Sequence, residues 1–288
     1  MADYRKYILS SGAHYISNSG SDENGAYKGG KAGDQNGKEW RLRSWYKRPW
    51  TCVLRFPDII VGTLIAQLGI DAALNDKIGY DQGQRESFWK EVKKVGYLPA
   101  KIKTACEEDC TAGVNGLVHC AGYLLDISAL KAIPETGIRS GNMRAKYKAA
   151  GFKVLTEPKY LKSGDYLLPG DILLYDNHHA ATNITCGKKV RGDYTYQDVI
   201  ADPDAYRHGR KPEPAPEPTE YGHVKITGGS VNVRSAPGVA SRDIGTVHKG
   251  DILIYQGLAE EADGKPWYLI IYNNTNGWVS SKYAQLIE

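Results

Sequence analysis

Lys211-Pro212-Glu213-Pro214-Ala215-Pro216-Glu217-Pro218-Thr219 divides this sequence in two. Alternating prolines lock φ, offer no ladder N–H and favour an extended spacer of about 3 Å per residue. Nothing in the segment can build a core. The pattern therefore predicts one domain over residues 1–210, a linker over 211–220 and a second domain over 221–288.

Downstream of the linker the sequence reads as a small all-β unit. Val231-Asn232-Val233-Arg234 alternates and runs into the turn Ser235-Ala236-Pro237-Gly238. Ile252-Leu253-Ile254-Tyr255 and Trp267-Tyr268-Leu269-Ile270-Ile271-Tyr272 are strands, and Asn273 to Gly277 is a turn before Trp278-Val279-Ser280. Short strands with frequent turn signals predict a barrel. Tyr255, Trp267 and Trp278 either line a groove or fill its core, and core is the expectation for the two tryptophans.

Upstream, the pattern is mixed. Residues 20–39 are almost all polar or Gly and read as a long loop. Asp58 to Asn75 predicts a helix with Ile60, Leu64, Ile65, Leu68 and Ala72 on one face. Gln82 to Val95 repeats the pattern. A third helix opens near Cys110 and turns Val114, Leu117, Val118, Ala121 and Leu125 inward. Strands follow at Lys153-Val154-Leu155, Asp171 to Tyr175, and about His178 to Cys186. Helices first and strands afterward is an α+β order.

Two stretches carry candidate chemistry. In Glu108-Asp109-Cys110-Thr111-Ala112-Gly113-Val114 a cysteine opens a helix, where free N–H groups and the helix dipole favour a thiolate. In Pro169-Gly170-Asp171-Ile172-Leu173-Leu174-Tyr175, followed by His178-His179-Ala180-Ala181-Thr182, a histidine stands at a sheet edge with small neighbours. Nucleophile and base far apart in sequence suit acyl transfer. Other readings are weaker. Cys106, Cys110, His119 and Cys120 lack paired zinc spacing, and Asp22, Glu23, Asp34 and Glu39 lack the order of a calcium loop.

These motifs resemble known families. V-N-V-R-S-A-P-G, G-T-V-H-K-G-D, W-Y and G-W-V-S-S-K-Y, spread over residues 223–287, resemble the bacterial SH3-like wall-binding domain. That resemblance implies peptidoglycan binding without catalysis. D-C-T-A-G-V resembles the D-C-S-G-L-V helix start of NlpC-like peptidoglycan peptidases and their CHAP-type amidase relatives. P-G-D-I-L-L-Y and H-A-A-T resemble their P-G-D-L-V-F-F and H-V-G-I strands, and the whole is similar to phage and prophage endolysins.

The resemblance implies a papain-like domain with Cys110 as nucleophile and His179 as base, His178 being the runner-up. It implies peptidoglycan as the partner and no cofactor or metal. The family's third polar residue has no counterpart in Lys189 to Tyr194, where Asp193 is the nearest acid. Asn183 shares the side of His179, but at about 13 Å along a strand it is out of reach. Gln35 is a candidate oxyanion donor beside the Cys110 N–H. A non-catalytic wall-binding protein and a transglutaminase-like crosslinker stay open as alternatives.

Composition narrows the rest. No apolar run is long enough to cross a membrane, and the start lacks an export signal, so synthesis in the cytoplasm and later release to the wall are expected. Residues 221–288 hold six basic and six acidic side chains, so the formal surplus of +4 sits in residues 1–220. That surplus suits an anionic wall polymer and is too small to argue for nucleic acid. Five sparse cysteines do not read as a disulfide framework. Tyr and Trp (20 and 6) far outnumber Phe (3), a choice that suits wet polar grooves and equally suits turns and half-exposed strands.

Overall fold

The computed structural model of the chain describes residues 4–190, 222–272 and 275–287. It divides into two compact units, Met1–Lys211 and Pro212–Glu288. The proline-rich segment and Asp193 lie outside the described residues.

Unit 1 begins with α1 (Tyr4–Ile8), β1 (Tyr15–Ser19), β2 (Trp40–Ser44), β3 (Cys52–Arg55), α2 (Ile59–Ala73) and β4 (Ile78–Tyr80). It continues with α3 (Ser87–Lys94), β5 (Cys106–Glu108), α4 (Cys110–Leu124), α5 (Ser128–Lys131), α6 (Met143–Ala149) and β6 (Lys153–Leu155). It ends with α7 (Pro158–Leu161), β7 (Ile172–Tyr175) and β8 (His179–Asn183). The fold is α+β, but its order differs from the expectation. Three strands precede the first long helix, and they join the later ones in a six-stranded sheet of order β2-β1-β8-β7-β3-β6.

Helix α2 packs between two layers and is buried on almost every side. Asp58 caps it, accepting from Ile60 N–H at 2.8 Å. Its Leu64, Ile65 and Leu68 join Val114, Leu117, Val118 and Ala121 of α4 in the main core. Ala66 and Ile70 instead meet Ile8, Ile184 and Cys186. Helix α3 starts later than the pattern predicts. The Asp81 carboxylate accepts from Gly83 and Gln84 N–H, which holds residues 81–84 in a turn.

The P-G-D motif has a structural explanation. Gly170 adopts φ +79°, and any Cβ there would collide with the Gly62 carbonyl of α2. Asp171, buried to 1% exposure, takes both Nε and Nη2 of Arg55 at 2.7 and 2.6 Å and also accepts from Leu168 N–H. One residue thus presses the sheet onto α2, and the next ties β7 to β3. The hairpin follows, with Tyr175 opposite His179 and Asn177 taking the left-handed turn at φ +63°.

Unit 2 is an antiparallel barrel-like sheet: β9 (His223–Ile226), β10 (Ser230–Arg234), β11 (Asp243–His248), β12 (Ile252–Ala262), β13 (Lys265–Tyr272), β14 (Thr275–Ser280) and β15 (Ala284–Ile287). The strand order is β11-β10-β14-β13-β12-β9-β15. Val224, Ile226, Val231, Val233, Val247, Ile270 and Val279 fill it. Trp267 and Trp278 are buried, as expected of core residues, and Tyr255 packs half-buried against the same cluster.

Candidate active site

The short parallel pair β4–β5 sets Tyr80 beside Glu108 and delivers the chain to the start of α4. There Asp109 accepts from Thr111 and Ala112 N–H at 2.9 Å each and pairs with Arg85, also at 2.9 Å. Arg85 is buried and further donates to Thr111 Oγ1 and the Ile138 carbonyl. This network fixes the first turn, so Cys110 leaves the helix at a defined angle. Gly113 has no room for a side chain, because a Cβ would strike the Glu108 carboxyl. The small residues after Cys110 therefore serve close packing.

Cys110 and His179 line one cleft of about 430 Å³. The Cys110 sulfur takes a hydrogen bond from the backbone of Ala180, the residue next to His179 on β8. His179 is buried to 5% exposure and stacks on Trp50 at 6.0 Å. Its Nε2 lies 2.8 Å from Asn18 Oδ1. An amide oxygen cannot donate, so Nε2 carries the hydrogen and Nδ1 is the basic nitrogen. Asn18 donates its own Nδ2 to Ser19 O and accepts from Tyr46 O–H at 3.2 Å, and Tyr46 accepts from Arg48 Nη1 at 3.1 Å. A relay of side chains thus runs from Arg48 to the imidazole.

The other expected residues fall elsewhere. His178 is exposed before the strand begins and stacks on Tyr175 at 4.2 Å, although it too borders the cleft. Asn183 accepts from His14 Nε2 at 2.7 Å. Gln35 donates Nε2 to the Ala32 and Gly33 carbonyls and stays out of the cleft lining. Asp34 and Glu39 bond to N–H groups of the loop and of Tyr80. Cys110 and Cys120 are ten residues apart on one helix, about 15 Å, which separates the imagined zinc ligands.

Asn18 is the residue that sequence reading missed. The family pattern puts the orienting residue on the strand after His179, whereas the amide that meets this imidazole comes from β1, 161 positions earlier. Ser17 and Asn18 are polar yet buried, with Ser17 accepting from Trp40 Nε1 and donating to the Gly69 carbonyl. Buried polarity of this kind is not legible in one sequence.

Burial favours the neutral forms of both Cys110 and His179. Desolvation, followed by the nearby Asp109 charge, pushes the Cys110 thiol up to about 12. Burial, then the positive charges of Arg48 and Arg43, push His179 down to about 3. The helix start does not by itself make a thiolate here. Because His179 is already deprotonated throughout the neutral range, hydrolysis should stay level from about pH 5 to 8. Alkylation of Cys110 by iodoacetamide should be slow at neutral pH and quicken as pH rises. An acid limb centred near the ordinary imidazole value, about 6.5, would contradict this.

Comparison with known families agrees with this architecture. An endolysin-like domain model matches residues 16–190, and a bacterial SH3 domain model matches residues 229–285. The first match covers more than half of the chain, which therefore belongs to the endolysin-like domain family and is a cell-wall-acting endolysin with a bacterial SH3 domain. No curated protein matches the chain.

Proposed function

We propose that this endolysin hydrolyses an amide bond of peptidoglycan through Cys110, with His179 as base and Asn18 as its positioning residue. The observation that carries the reading is the placement of the Cys110 sulfur against the Ala180 backbone, one residue from an imidazole whose Nε2 is held by Asn18. His179 Nδ1 accepts the thiol proton as sulfur attacks the carbonyl carbon. The oxyanion forms beside the Cys110 N–H and the Tyr80 hydroxyl. Tyr80 lines the cleft, and burial keeps its hydroxyl protonated. The C–N bond then breaks, His179 passes its proton to the leaving amine, and a thioester stays on Cys110. Water, deprotonated by His179, releases the acid and restores the thiol.

The SH3-like unit, in this proposal, holds the enzyme at the wall and raises its local concentration. Mass spectrometry of fragments released from purified walls tests the chemistry. Amide hydrolysis leaves new amino and carboxyl ends, and the fragments identify whether the bond lies within the stem peptide or joins it to the glycan. New reducing ends without new amino groups would mean a glycosidase and end the cysteine reading. Incorporation of an added amine would point to a crosslinker.

A further inference from the structure

The cleft that holds Cys110 is strongly one-sided in charge. Lys38, Arg41, Arg43 and Arg48 line it, and no Asp or Glu does. None of the four has an ion-pair partner among the described residues. The nearest acids to Cys110 do not offset them: Asp109 is paired with Arg85, and burial keeps Glu108 neutral. Arg41 and Arg43 alternate along β2 and so project from one face. Tyr46 holds two of the cations in place, with the Arg43 guanidinium 4.2 Å above its ring and Arg48 donating to its hydroxyl.

Packing like charges around a small concavity costs stability unless an anion completes it, and low-dielectric walls focus the field on that space. Guanidinium forks match the planar geometry of a carboxylate. We propose that the cleft selects a stem peptide bearing a free carboxylate beside the bond to be cut, with Arg43 and Arg48 as its specificity-determining residues. The inference rests on the cysteine reading above and adds the substrate's charge. It also has a consequence for rate. The two arginines oppose a positive charge on His179, so a docked carboxylate offsets them and eases proton transfer from Cys110. A free carboxylate then raises kcat as well as lowering KM.

The test uses the full chain on walls stripped of phosphate polymers by hydrofluoric acid. One half is left with free carboxylates, and the other is amidated with carbodiimide and ammonium. Amidation should lower kcat/KM by about tenfold or more, the loss of a forked Arg–carboxylate contact. The Arg43→Gln/Arg48→Gln double variant should lose the preference and cut both preparations alike whatever its absolute rate, and a tenfold preference that survives in it overturns the inference. Equal cutting of both by the unaltered chain overturns the inference and leaves the cysteine reading intact. Restored cutting of amidated walls that keep their phosphate polymers would also overturn it, by moving the anion to phosphate. Binding of soluble stem peptides to the Cys110→Ala chain gives a readout independent of turnover. The free acid should bind more tightly than its amide, and equal binding overturns the inference even if no wall is cut. Normal cutting by the Cys110→Ala chain with that preference kept would count against the cysteine reading alone.

Discussion

Replacing Cys110 with Ala should remove hydrolysis of purified walls, by about 10⁴-fold or more, while the protein still folds and pellets with the walls. In the proposed mechanism the thiol forms the thioester, and no other cysteine lines the cleft. The substitution removes one atom from a partly exposed side chain at a cleft and opens no sealed cavity in the core. Asn18→Ala should be milder, at about ten- to a hundredfold, because His179 keeps its stacking on Trp50 and loses only the bond that fixes its tautomer. Cys106→Ala is the matched control, since Cys106 is buried away from the cleft lining and its sulfur faces the Lys77 carbonyl. Turbidity clearing at the normal rate by the Cys110 variant would remove the cysteine mechanism.

Asp171→Ala should give the largest loss of stability, about 3–5 kcal/mol. Truncation leaves the Arg55 guanidinium largely buried without its forked partner and strips Leu168 N–H of its acceptor. The damage lies at the β7 end of the hairpin that carries His179, because the Asp171 carbonyl also accepts from Asn183 N–H at 2.7 Å. Urea unfolding followed by fluorescence measures the change. A loss below about 1 kcal/mol would mean that the pair contributes no more than an exposed surface bridge. Arg55→Leu combined with Asp171→Ala should recover part of the loss, since no unpaired charge remains.

The parts legible in the sequence were those with strong period or unusual chemistry. The 3.6-residue patterns around Leu64–Leu68 and Val114–Ala121 gave two core helices nearly to the residue. The turns and alternation from Val231 to Ser280 gave the barrel. Cys110 and His179 stood out because their neighbours are small and their flanking motifs distinctive. The strands at Tyr15–Ser19, Trp40–Ser44 and Cys52–Arg55 did not stand out. Their burial runs through Ser17, Asn18 and Ser19, whose polarity argues against a core strand until their tertiary partners are known. Arg41 and Arg43 give β2 an exposed look, yet both border the cleft. The missed residues are therefore those whose positions are set by the site, where local preference and tertiary demand disagree.

The bond between Asn18 and His179 also sets a timetable. The strand that carries Asn18 leaves the ribosome among the first elements, while β8, its neighbour in the sheet, is the last strand of unit 1 among the described residues. Pairings of such long sequence separation form late, because the loop between them must be closed before any contact rewards it. A growing chain that already displays Asn18 and Cys110 consequently lacks the imidazole that Asn18 is to hold. Lytic competence should arrive in one step, when the two ends of the domain meet, and no shortened amino-terminal product should possess a fraction of it.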